Sequence, residues 1–123
     1  MTVGAALVEL HVHDSHSLKA KRGVVRAVIG RVRHRFNVSI SEVGGQDTWQ
    51  RAVLGIAAAG LDATSVRRTL GGVVDFIDSL QLAEVRESDV EIVELPYEGS
   101  GEREAEAEEP LPWGDGGEGD EDE

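Results

Sequence analysis

The chain contains no cysteine. That excludes a disulfide framework, a thiolate zinc site and a cysteine nucleophile. Aromatic residues make up 4% of it: two Trp, two Phe and one Tyr. RNA readers that stack bases on a sheet need more than that. No apolar run approaches the roughly 20 residues of a membrane-spanning helix, and the N-terminus lacks the basic-then-apolar pattern of a secretory signal. The expectation is a cytoplasmic protein with no membrane partner. No nucleophile-elbow, Walker or dinucleotide-binding glycine motif occurs, and Gly44-Gly45 reads as a turn, not a phosphate loop. No two carboxylates are placed by sequence for acid–base work. The chain therefore reads as non-enzymatic and without a cofactor.

Length and charge bound the rest. The 123 residues suffice for one ordinary core. The formal net charge of −12 is unevenly spread. Residues 98–123 hold twelve acids and one base, Arg103, whereas residues 1–97 hold twelve acids and eleven bases. The expected organisation is a near-neutral folded domain over 1–97 and an acidic tail over 98–123. The tail has almost no large apolar side chain to offset its chain entropy and is expected to be disordered. Trp113 is its only aromatic.

Alternation marks Thr2 to Val12 as a strand, with Gly4, Ala6, Val8, Leu10 and Val12 on one face. Ser17 is a candidate N-cap, and Leu18, Val25, Val28, Ile29, Val32 and Phe36 follow at helical spacing until Asn37. Val38 to Val43 reads as a second strand and Trp49 to Ala59 as a third, with Leu54, Ile56 and Ala58 inward. Asp62 or Thr64 caps a second helix whose buried stripe is Val66, Leu70, Val73, Ile77 and Leu80. A last strand lies within Ala83 to Leu95, ended by Pro96. The order βαββαβ predicts an α+β, ferredoxin-like fold: a four-stranded antiparallel sheet with two helices on one face. The other sheet face is left open, and Val3, Ala5, Leu7, Val53 and Ala57 give it a partly apolar patch suited to a homodimer.

Acid is also missing from one place: none occurs between Asp14 and Glu42. Seven of the domain's eleven bases fall in that gap, as Lys19, Lys21, Arg22, Arg26, Arg31, Arg33 and Arg35. At 100° per residue, Lys19, Arg22, Arg26 and Arg33 line one flank of the first helix and Arg31 and Arg35 the other. Lys19, Lys21 and Arg22 sit in or beside the first turn, where the helix dipole disfavours cations by about 0.3–1 kcal/mol each. Ala20 stands where a Glu would complete a capping box with Ser17. Ser17, Lys19, Lys21, Arg22, Arg26 and Arg33 thus form a candidate anion site, with RNA phosphate as its ligand. The competing reading is a solvated face that keeps the protein soluble. The acidic tail, by charge, is either a competitor for that helix or a solubilising extension.

Two stretches resemble a known family. One is His16-Ser17-Leu18-Lys19-Ala20-Lys21-Arg22, continuing to Arg33-His34-Arg35-Phe36-Asn37-Val38-Ser39. The other is Glu42-Val43-Gly44-Gly45-Gln46-Asp47-Thr48-Trp49-Gln50-Arg51-Ala52, continuing to Leu54-Gly55. Together they resemble the YlxP-like proteins, a small bacterial family of unknown function, over about residues 1–95. The resemblance implies a ferredoxin-like fold. It also implies, through the family's gene neighbourhood beside a translation initiation factor and a ribosome-binding factor, an RNA or small-ribosomal-subunit partner. This chain departs from the family at Ala20, usually Glu, and at Gly45, often His. Neither departure is expected to touch the fold.

Gln46, Asp47, Trp49, Gln50 and Arg51 form the densest polar cluster outside the first helix. Asp47 can pair with Arg51 while the glutamines hold a ligand edge. The structural reading, which is preferred, has Asp47 capping the turn and Trp49 plugging the end of the core. His11, His13 and His16 number enough for an open zinc site, but the metal-hydrolase pattern has the Asp directly before the last His, and the only other histidine is His34, so no metal is expected.

Overall fold

The computed structural model describes residues 1–13 and 15–96. The proposed acidic tail lies outside them. The elements are β1 (Thr2–His11), α1 (Leu18–Arg35), β2 (Ser39–Gly44), β3 (Arg51–Gly60), α2 (Ala63–Ser79) and β4 (Glu84–Glu94). The strands form one antiparallel sheet in the order β2-β3-β1-β4. Both helices cover one face of it. This is the expected ferredoxin-like arrangement.

The sheet has its two most apolar strands at the centre because only they are flanked on both edges. β1 pairs with β3 from Thr2↔Gly60 to His11↔Arg51 and with β4 from Thr2↔Glu94 to His11↔Glu84. On the covered face, Ala6, Val8 and Leu10 of β1 meet Ala52, Leu54, Ile56 and Ala58 of β3, all buried. Val25, Val28 and Val32 of α1 and Val66, Leu70, Val73 and Ile77 of α2 close the core from above. Burying each such branched side chain stabilises the fold by about 1.5–3 kcal/mol. Gly4 lets α2 approach β1 closely: a Cβ there would stand 2.5 Å from Val66 Cγ1 and 2.8 Å from Leu70 Cδ1.

Both helices start on the expected kind of residue. The Ser17 hydroxyl accepts from the Ala20 N–H at 3.0 Å, and an Asp62 carboxylate oxygen accepts from the Ser65 N–H at 2.8 Å. Asp62, rather than Thr64, is the cap of α2. Leu80 caps the C-terminus of α2 and is followed by Gln81 in the left-handed region at φ 58°.

One boundary differs from the sequence reading, and β4 fills nearly the whole of its expected range. β3 begins at Arg51, so Trp49 and Gln50 belong to the preceding loop. β4 begins at Glu84, ahead of the apolar part of its sequence, and Glu84 and Arg86–Val90 are exposed. Ladder hydrogen bonds to β1, not side-chain burial, extend β4 across this stretch.

Candidate nucleic-acid interface

α1 presents its cations in two very different environments. Lys21 is not on the solvent face at all. Its side chain is fully buried, and Nζ donates to the carbonyl oxygens of Gly45 at 2.6 Å and Arg51 at 3.2 Å. Nζ also stands 3.2 Å from Glu42 Oε2, which lacks hydrogen-bond geometry to any described group; the contact is an ion pair. Lys21 is therefore withdrawn from the predicted anion site. Helix geometry explains the correction, since Lys21, Val25, Val28 and Val32 share one stripe and all are buried. A buried ammonium is tolerable only with acceptors of this kind around it.

The same contact joins the two stretches that carry the family resemblance. Lys21 comes from the first, and Glu42, Gly45 and Arg51 from the second. Gly45 is itself constrained, at φ 78°, and a Cβ on it would lie 2.7 Å from the Arg51 carbonyl oxygen. The expectation that this position does not touch the fold is thus overturned. Only a residue without a side chain enters the left-handed region there free of strain and collision.

The remaining cations of α1 face outward. Lys19, Arg22, Arg26, Arg31, Arg33 and Arg35 are exposed, and none makes an ion pair among the described residues. Arg33 donates to the Ile40 carbonyl at 3.1 Å, which fixes the Lys19–Arg22–Arg26–Arg33 flank toward the β2 edge. The opposite flank faces α2, where the Arg35 guanidinium stands 4.8 Å from the Phe76 ring centroid. The Ser17 hydroxyl, counted above as an anion ligand, is engaged by its own helix as the cap. Gly23 and Gly30 add no bulk to the outward face, with open space where a Cβ would stand.

The loop cluster does not assemble as predicted. Arg51 Nε donates to Glu9 Oε2 at 2.9 Å, across the β1–β3 pair, and not to Asp47. Trp49 is 52% exposed and plugs nothing. Gln46, Asp47 and Gln50 are exposed around a turn closed by the Thr48 N–H on the Gly45 carbonyl at 3.1 Å.

The histidines divide as well. The rings of His11 and His13 meet edge to face at 4.3 Å. His13 Nε2 is hydrogen-bonded to Glu84 Oε1 at 2.7 Å, and Arg86 approaches the same oxygen at 3.2 Å. The hydrogen bonds from His13 and then Arg86 hold the Glu84 carboxyl below its ordinary range. His16 is exposed. No three His, Cys, Asp or Glu side chains among the described residues are grouped to hold a metal ion.

On the open sheet face, Leu7 and Val43 are 51% and 53% exposed. They wall a shallow trough of about 420 Å³ floored by Gly55 and Ala57, with Asp89 and Glu91 at one end. Val43 is an addition to the patch expected from sequence. No helix among the described residues is long and apolar enough to cross a membrane.

Fold and surface together define a small ferredoxin-like α+β protein with a cationic helix and an open sheet face. The chain belongs to the family described as "Protein of unknown function (DUF503)", which residues 3–90 match. It is 47% identical over 77 residues to the uncharacterised protein YlxP of Bacillus subtilis (strain 168), covering 63% of this chain and 84% of that one. The resemblance read from the two sequence stretches is thereby confirmed. Among solved structures it is similar to the de novo designed protein Foldit4, at 13% identity and a TM-score of 0.46, over 78% of this chain and 100% of the other. It is also similar to a mutant of SnoaB, a cofactor-independent oxygenase from Streptomyces nogalater, at 13% identity and a TM-score of 0.44, over 77% and 94%. Likeness at this level does not bear on activity.

Proposed function

We propose that this protein is a non-enzymatic module that binds RNA through its sugar–phosphate backbone, with α1 as the contact helix and the small ribosomal subunit as its partner. The observation that carries the reading is the row of six exposed cations on α1 without an acidic partner among the described residues. Surface cations commonly find a carboxylate on a neighbouring turn; among the described residues these have none. Small residues between the two flanks allow a backbone to approach while the arginines reach round it. Such contacts position a nucleic acid without reading its sequence.

Sedimentation of the full chain with ribosomal subunits through a gradient, at low and moderate salt, tests this. Co-migration with the small subunit at moderate salt is the expected result. Binding to every particle, and only at low salt, would reduce the reading to generic charge attraction. No binding at all would end it. Replacing Arg22, Arg26 and Arg33 together by Gln should lower the salt slope of RNA binding by about 2, from roughly 0.7 per lost single-strand phosphate contact. An unchanged slope removes that flank from the interface.

A second reading is favoured by the exposed Leu7 and Val43 around the sheet trough: a homodimer formed through the open face. Light scattering on the wild type and on Leu7→Lys distinguishes the two. A dimer that falls to monomer on substitution supports this reading, and a monomeric wild type rejects it.

A further inference from the structure

The flank of α1 that faces α2 forms a surface cleft beside the phosphate-facing surface described above. Gly30, Arg31, His34 and Arg35 of α1 line it with Phe76 and Leu80 of α2, and it measures about 490 Å³. That is within the roughly 300–1,000 Å³ of small-ligand sites. Its floor is apolar: Phe76 and Leu80 are only half-buried. Phe36 packs against Phe76 edge to face, centroids 5.5 Å apart at 64°, which fixes the Phe76 ring. The Arg35 guanidinium stands 4.8 Å from that ring's centroid and 5.9 Å from the Phe36 centroid. Gly30 keeps the mouth open, since nothing lies within 4 Å of where its Cβ would be.

The rim is cationic and unpaired. Arg31, His34 and Arg35 are exposed and have no carboxylate partner among the described residues. Arg33, His34 and Arg35 occupy the last turn of α1, where the helix's own carbonyl end favours positive charge. Arg31 and Arg35 are thus favourably placed on the helix, and no carboxylate among the described residues competes for them. An aromatic floor beneath a guanidinium, with further guanidinium donors at the edge, matches a planar base bearing a phosphate. The one outward ring on the described strands is His11, which is engaged edge to face by His13 at 4.3 Å, and Trp49 lies on a loop.

We propose that this α1–α2 cleft takes one unstacked nucleotide of single-stranded RNA. The base stacks on the outer face of the Arg35 guanidinium, which itself covers the Phe76 ring at 4.8 Å, with Leu80 at its edge, and an adjoining phosphate is bound by Arg31. The proposal rests on the RNA reading above and adds a base-dependent contact to a surface otherwise read as backbone-directed. Stacking of this kind tolerates any sequence, because every base has a π-face. The expected preference is therefore for single strands over duplexes, and not for a particular base.

Fluorescence anisotropy of the full chain tests this with three labelled RNA probes: a 12-nucleotide oligoadenylate, the same length with abasic sites, and a duplex. The expected result is roughly tenfold tighter binding of oligoadenylate than of the abasic strand, the effect of one stacked base. Gly30→Leu fills the cleft at a position with free space and should bring oligoadenylate affinity down to the abasic value. Its salt slope should not change, since no cation is removed. Arg35→Gln should weaken oligoadenylate more than the abasic strand. Equal binding of the three probes by the wild type overturns the cleft proposal and leaves the RNA reading standing. So does a base preference that survives Gly30→Leu. Absence of binding to every probe overturns both.

Discussion

Lys21 near the start of α1 and the arginines near its end are the same kind of residue in opposite settings, while Lys19 and Arg22 beside Lys21 stay exposed. Near the N-terminus, where the helix dipole opposes positive charge, Lys21 is turned inward and held by Gly45, Arg51 and Glu42. Near the C-terminus, where the dipole favours positive charge, Arg31, His34 and Arg35 stay outside and border an apolar cleft. A basic run on a helix is thus not one surface. A cation's role depends on which stripe it occupies and on which end of the helix it stands, and the first of these decides whether it can meet a ligand at all.

The largest effect is expected at Lys21. Lys21→Met leaves Glu42 without its counter-ion and two carbonyls without their donor, and is expected to cost about 3–5 kcal/mol in urea unfolding. Lys21→Met with Glu42→Leu should recover much of that loss. Arg22→Gln, one residue along the same helix, should stay within about 0.5 kcal/mol of wild type. A Lys21→Met cost near that of Arg22→Gln would show that the buried contact does not hold the hairpin. Gly45→Ala attacks the other side of the contact. A side chain in the left-handed region and against the Arg51 carbonyl should cost about 1–3 kcal/mol, measured by thermal or urea unfolding.

Smaller effects are expected at the two helix starts. Ser17→Ala removes the hydroxyl that accepts from Ala20 N–H and should cost about 1 kcal/mol. α2 uses a titrating cap instead. The Ser65 N–H bond, then the Ser65 hydroxyl, hold the Asp62 carboxyl below its ordinary value of 3.8. Because the folded-state value is the lower one, its contribution is complete above that ordinary value and is lost as pH falls through the lowered one. Glu84, lowered by His13 and Arg86, acts in the same direction. Asp62→Asn keeps a capping side chain without the titration. It should flatten part of the decline in stability below about pH 4, and Glu84 should supply what remains. An unaltered acid limb would show that Asp62 contributes nothing to it.

The strand faces were legible in sequence because alternation has a period of two and one face must be buried. The helix caps were legible for a comparable local reason: a Ser or Asp ahead of an apolar stripe answers donors within three residues of itself. Lys21 was half legible. Its spacing from Val25, Val28 and Val32 marks it as inward, but the pattern of neighbouring arginines pointed the other way. Phe76, central to the α1–α2 cleft, lies off the α2 stripe of Val66, Leu70, Val73 and Ile77 and carries no sequence signal of its own. Its partner Phe36 is 40 residues away.

What the sequence determined by itself is periodicity, charge distribution and local capping, since each depends on residues within a turn or two. These sufficed for the βαββαβ order and the open sheet face. Tertiary structure alone decided which cations remain outside, what Lys21 donates to, and that two phenylalanines meet beneath Arg35. The acceptors of Lys21 are mainly backbone carbonyls, and a carbonyl has no residue-type signature in sequence. Its place is set only when β2 and β3 pair and α1 packs across them.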